Sequence, residues 1–264
     1  MTGTDADYEA TRRDGVLRVR RPTTEWLSTG WNGGRRTADC AYNISVPAAW
    51  NRTDLGAYVD ERLERARFET AAGEFAGPAL LTGVDVADAR GARRGPVTAY
   101  ATAGISNPAA LPMEPDAAET AEATAIETGE SATGQGRGTV NVVVGTTRAL
   151  EPGALANLIA VAAEAKAATL LAEIGFPGTT TDAIVAGHDP SGSPAAFSGS
   201  GTEVGAATRA CVRDAVRASL AAHYAAVDAD PPESVADATY GVSTDGRAEV
   251  FRPPADDGWS EPHS

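Results

Sequence analysis

Lysine is nearly missing from this sequence: of 22 basic residues only Lys166 is one, against 36 acidic residues, for a net charge of −14. A nucleic-acid binder needs a basic stripe to release counterions from phosphates, and the pairs Arg12-Arg13, Arg20-Arg21, Arg35-Arg36 and Arg93-Arg94 are scattered. No nucleic-acid partner is expected. Cysteine is reduced to Cys40 and Cys211, too few for a metal cluster or a disulfide framework, and Cys211 falls among Ala207, Val212 and Ala215 as a small buried hydrophobe. Of the three histidines none forms an H-x-x-x-H or H-E-x-x-H pair, so no metal is expected. Neither G-x-S-x-G nor GxxxxGK[ST] occurs, which excludes a nucleophile elbow and a P-loop. The N-terminus has no basic start and no apolar run, and the longest apolar stretch, Leu155 to Ile174, is broken by Glu164 and Lys166. A cytoplasmic protein with no membrane partner is expected.

What is present suits molar salt. Abundant carboxylates with almost no lysine keep a surface hydrated where repulsion is screened within a few ångströms. The 264 residues, 42% hydrophobic and 22% charged, suffice for one large globular domain. A flexible N-terminus is expected over 1–14 and a folded unit over 15–227. Within it 109–137, rich in Ala, Glu, Thr and Gly, reads as an acidic surface loop. The acidic, proline-containing 228–264 reads as a disordered tail, with Tyr240–Val242 and Glu249–Phe251 able to add a hairpin.

Strands are expected at Gly15–Arg20, Glu25–Ser28, Ala41–Val46, Leu80–Val86, Val97–Ala103, Thr139–Val144 and Ala183–Ala186. Three helices stand out: Leu55–Arg67, with Leu55, Val59 and Leu63 on one face; Pro152–Glu173, ending at Gly175; and Glu203–Ala225, opening on a capping box from Ser200 to Glu203. The pattern predicts an α/β or α+β single domain, a layered mixed sheet packed by about three main helices.

Five stretches carry polar groups fit for chemistry. Ser28 to Gly34, including Gly33, reads as a backbone cradle for a ligand or as a plain turn. Thr98 to Pro108 places Thr102, Ser106 and Asn107 at a strand exit, where Asn107 either polarises a carbonyl or starts a turn. Asn141 interrupts a β run, facing outward or held for hydrogen bonding. Lys166 falls on the apolar stripe of its helix, either ion-paired for function or snorkelling and pairing with Glu173. Thr179-Thr180-Thr181-Asp182 leads into a buried strand and offers hydroxyls with a carboxylate, or a turn. His188 is the histidine best placed for catalysis. Glu203 opens the last helix, as cap or anion-site residue.

These segments, with Asn43-Ile-Ser-Val-Pro47, Glu164-Ala-Lys166 and Ser198 to Glu203, resemble in order the adenosylcobinamide amidohydrolase family over about residues 15 to 225. The resemblance implies a corrinoid substrate, no cofactor, and hydrolysis of the aminopropanol amide of adenosylcobinamide to adenosylcobyric acid. His188 lies outside the shared pattern. In this reading Asp182, or Glu164, activates water, with Thr180 or Thr181 as an alternative nucleophile. Asn107 and Asn141 polarise the carbonyl and Lys166 orients it, while Ser28, Gly33, Gly34, Asn43, Thr102 and Glu203 line the substrate. Two other readings stay open: a corrinoid carrier, although Asp-x-His-x-x-Gly is missing, and an autoprocessing threonine hydrolase cleaving near Thr179–Thr181.

Overall fold

The computed structural model describes residues 7–47, 50–68, 77–114, 138–238 and 240–254. Most of 109–137, expected as an acidic loop, lies outside the described residues. The strands are β1 Glu9–Arg13, β2 Val16–Ser28, β3 Gly34–Ser45, β4 Ala79–Thr82, β5 Arg90–Arg94, β6 Val97–Ala103, β7 Ala109–Ala110, β8 Val140–Leu150, β9 Ala183–Ala195 and β10 Val242–Ser243. The helices are α1 Leu55–Arg65, α2 Pro152–Ile174 and α3 Glu203–Val227. The result is a mixed α/β fold whose main sheet runs β4-β3-β2-β9-β8-β6-β5, with β1 paired to β2.

The sheet doubles back on itself at β2. Its register slips between Arg20 and Thr24, with Thr23 at a φ of 54°, so that one continuous strand replaces the two expected. The first half of β2 pairs with β1, and the second half pairs with β9. The doubled sheet closes over a core of Leu17, Val19, Trp26, Val143 and Val185. Tyr8 and Trp26 meet edge to face there, ring centres 5.6 Å apart. Their rings fill the space left by two glycines paired across β8 and β9. A Cβ on Gly145 would lie 2.4 Å from Tyr8, and one on Gly187 would lie 2.5 Å from Trp26. The expectation of a flexible segment to residue 14 is thus corrected for Glu9–Arg13. Its five exposed residues hide the strand from a hydrophobicity reading, as edge strands commonly do.

Helices cover both outer faces. Leu155, Leu158, Ala162 and Leu170 of α2, with Ala207, Cys211, Ala215 and Leu220 of α3, pack on Val140, Val142 and Val144. Tyr58, Val59 and Leu63 of α1 pack on Val16, Tyr42 and Ile44 of the folded-over half. The layers are therefore helix, sheet, sheet, helix. By length and composition α2 could cross a membrane, yet its apolar stripe is buried against this sheet. It ends where Gly175 takes a left-handed φ of 77° and its N–H bonds the Leu171 carbonyl. At α3 the cap is Thr202, accepting from the Gly205 N–H at 3.0 Å, rather than a box starting at Ser200.

Two connections set the functional end. β8 and β9 run parallel, so α2 must return the chain to the end where β8 began, and α3 repeats that return after β9. Beyond β6 the chain bridges from Pro108 to Thr179. Past α3, β10 lies parallel to β7, so Glu249–Phe251 form no hairpin with it and Phe251 stays exposed.

Candidate active site

The polar side chains gather where β8 and β9 start and β6 ends. Asp182, just ahead of β9, meets Lys166 from α2 in an ion pair whose side chains are each 10% exposed. The same carboxylate accepts from the backbone N–H of Val140 at 2.8 Å, the N–H of Thr179 at 3.0 Å and the Thr179 hydroxyl. A carboxylate has about four lone-pair directions, and four donors occupy them. Through these bonds Asp182 clamps the 179–182 loop to α2 and β8. It also places Lys166 away from Glu173, which pairs with Arg217 at 2.7 Å.

The clamp presents Thr180 and Thr181 at the surface. Asn107, fully buried beneath them, donates through Nδ2 to the Thr180 hydroxyl at 2.6 Å and to that of Thr181 at 3.3 Å. Thr181 also contacts the Thr139 hydroxyl at 2.9 Å. The other amide end of Asn107, its Oδ1, has no hydrogen-bond partner, a condition rare for buried polar atoms. Because amide oxygen and nitrogen interchange by a flip, Asn107 keeps one uncommitted end in either orientation.

Asn141, Asn43 and Thr102 form a second group one step along the strands. Asn141 Nδ2 donates to Asn43 Oδ1 at 3.0 Å and to the Leu81 carbonyl at 2.9 Å, while Asn43 Nδ2 donates to Thr102 Oγ1 at 2.8 Å. Asn141 Oδ1 accepts from the Ala183 N–H at 3.2 Å. These amides stitch the two sheet layers together, with the Asn141 Nδ2 donors directed at protein acceptors.

The Ser28 turn reaches the same end. Thr29 bonds Ile184 through backbone and hydroxyl, and the Ser28 hydroxyl accepts from the Gly30 N–H at 3.1 Å. Gly33 and Gly34 lie in this turn, Gly34 at a φ of 94°.

Two expected residues fall outside. Glu164 is exposed on α2 and pairs with Arg209 at 3.3 Å. Glu203 pairs with Arg148 at 2.7 Å. Arg148 lies seven residues from Asn141 along β8, about 23 Å at 3.3 Å per residue. The Glu203 carboxylate is thus held far from Thr180.

His188 also belongs to the far end, paired in register with Thr146. Its Nδ1 accepts from the Leu150 N–H at 3.0 Å, so the proton sits on Nε2, 3.2 Å from Glu25. Both nitrogens are committed, which overturns its promise as a base. Beside it Asp189 pairs with buried Arg21. Burial pushes the Asp189 carboxyl up, but bonds from Ser191 and Arg21 outweigh it and hold the group below its ordinary range.

The sequence pattern gave no site role to Thr139 or to His223, which sits late in a helix. The signal for His223 was its spacing four residues after Ser219, on one helix face. Among the described residues no three His, Cys, Asp or Glu side chains converge as metal ligands.

The chain's relatives point one way. The family model CbiZ, adenosylcobinamide amidohydrolase, matches residues 1–228. A Halobacterium salinarum protein named adenosylcobinamide amidohydrolase is 54% identical over 246 residues, 93% of this chain and 100% of its own. A Methanosarcina mazei protein of the same name is 27% identical over 206 residues, 74% of this chain and 90% of its own. The solved PH0078 protein from Pyrococcus horikoshii OT3 overlaps 81% of this chain and 79% of its own at 10% identity, with a TM-score of 0.40. With its family model spanning the folded domain and a relative matched end to end, the chain belongs to the adenosylcobinamide amidohydrolase family.

Proposed function

We propose that the protein hydrolyses the amide joining (R)-1-amino-2-propanol to the corrin f side chain of adenosylcobinamide, releasing adenosylcobyric acid for cobalamin assembly. Family membership supports the reaction. The observation that carries the site is the clustering of Asn107, Thr180 and Thr181 on the Lys166–Asp182 clamp. Amide hydrolysis needs an attacking oxygen, a stabilised oxyanion and a proton for the leaving amine, together lowering the barrier by at least ~8 kcal/mol.

In this reading water attacks the amide carbon. Thr180 accepts from Asn107 and so keeps its own proton for the carbonyl oxygen, where negative charge develops. Thr181 and Thr139 hold the approaching water. Lys166 and Asp182 act as positioning residues that fix the loop from below. The exposed Trp31, Leu111 and Met113 offer apolar surface for the broad corrin ring, with the Ser28–Gly34 turn beside it. The acid-rich, lysine-poor composition and the likeness to a Halobacterium salinarum protein support a salt-rich cytoplasm as the working medium.

The test is incubation with adenosylcobinamide in molar KCl, with mass spectrometry of the products. Adenosylcobyric acid and free aminopropanol are expected. Intact substrate after many enzyme equivalents of time would refute the activity, and substrate bound but uncut would favour a carrier.

A further inference from the structure

Resting on the amide-hydrolase reading, the geometry points to His223, held by Asp88, as the proton-transfer group of the reaction. His223 lies near the C-terminal end of α3, which the chain topology returns to the Thr180 end of the sheet. Its Nδ1 is 3.0 Å from Asp88 Oδ2. A carboxylate only accepts, so the imidazole proton sits on Nδ1 and the basic lone pair is on Nε2. That nitrogen has no hydrogen bond among the described residues, and the side chain is 20% exposed. Asp88 is 8% exposed, in the 3-10 turn Val86–Asp88. Its carbonyl accepts from Ser219, whose hydroxyl in turn accepts from the Ala103 N–H at 3.0 Å. One helical turn before the imidazole, α3 is thereby locked to both the acid and the end of β6. The Tyr224 ring stands edge-on at 5.2 Å, and Asp88 is the charged group that touches the imidazole.

The imidazole occupies space that any residue but glycine would fill. A Cβ on Gly104 would lie 2.8 Å from both Nε2 and Cδ2 of His223. Gly104 follows the end of β6, and its N–H bonds the Thr139 carbonyl at 3.4 Å. The imidazole thus packs against the residue that bonds Thr139, and Thr139 contacts Thr181.

In the step, Nε2 takes a proton from water as its oxygen bonds the amide carbon and the carbonyl π pair moves onto oxygen. The imidazolium then returns that proton to nitrogen as the C–N bond breaks, leaving the carboxylic acid and the free amine. Asp88 is the positioning residue that keeps the tautomer and stabilises the imidazolium.

Two variants of the full chain, assayed in molar KCl, decide the matter. His223→Gln is expected to lower kcat at least ~100-fold, with KM for adenosylcobinamide within about three-fold, and to remove the acid limb of the pH–rate profile. A folded His223→Gln protein with wild-type kcat and an unchanged profile overturns the assignment. If His223→Gln fails to fold, Asp88→Asn decides: a loss of at least about ten-fold with a displaced acid limb supports the dyad, and wild-type kinetics sink it. Failure of the wild-type protein itself to cut adenosylcobinamide refutes the parent activity instead, so the two failures are distinct.

Discussion

The two ends of β9 carry the same ingredients arranged to opposite effect. Each has a buried ion pair, Lys166–Asp182 at the start and Arg21–Asp189 seven residues on, and each has a histidine beside a carboxylate. At the far end both nitrogens of His188 are bonded, one to the Leu150 N–H and one to Glu25. At the near end, among the described residues, one nitrogen of His223 and one amide end of Asn107 stay unbonded, and the exposed Thr180 hydroxyl accepts from Asn107. Residue type does not separate a structural cluster from a reactive one; uncommitted valences do.

The comparison breaks hardest at Lys166. Lys166→Met should lower kcat at least ~100-fold, by releasing the threonine loop, and cost about 3 kcal/mol of stability through an unpaired buried carboxylate. Steady-state kinetics and denaturant melts in molar KCl measure both, and full activity would make the clamp merely structural. Arg21→Met should cost a similar 3–5 kcal/mol, since the guanidinium also stacks 5.5 Å from the Tyr8 ring. The kcat of its folded fraction should be unchanged, and a parallel fall in kcat would erase the distinction between the ends.

A pH series sharpens the far end further. Asp189 is held below its ordinary range, so its ionised form stabilises the fold above about pH 4 and that contribution is lost as pH falls through the lowered value. Thermal melts of wild type and Asp189→Asn should differ most at neutral pH and converge in acid; a gap that widens on acidification reverses the sign. Thr180→Val should reduce kcat about ten-fold or more with little change in melting temperature, as expected for one lost oxyanion contact. Smallest is Glu203→Ala, an exposed partner of Arg148, worth no more than about 1 kcal/mol and nothing in turnover. A large kinetic effect there would return Glu203 to the site.

Much of the fold was legible. The three helices match their expected spans within a few residues because each shows a helical apolar stripe or a clear stop signal, and β6 matches over Val97–Ala103. β1 and β5 were not legible, being charged edge strands without an apolar face, and β9 runs on into polar residues with Pro190 and Pro194. In the site, Lys166, Asp182, Thr180, Thr181 and Asn107 could be picked out because polar residues interrupt apolar patterns there. Glu164 and Glu203 carried the same chemistry but lie on exposed helix faces, paired with Arg209 and Arg148.

By itself the sequence determined the family, the acidic surface and the set of polar interruptions, because these depend on residue identity and local spacing. Tertiary structure alone decided which of those groups meet: the doubling of the sheet at Arg20–Thr24, and the two helical returns that bring α2 and α3 to one end. Hydrogen bonding then sorted them. Bonds to neighbours distant in the chain use up Asp182, Asn141 and His188 and, among the described residues, leave one nitrogen of His223 and one amide end of Asn107 unbonded, and no local pattern records which valences remain open.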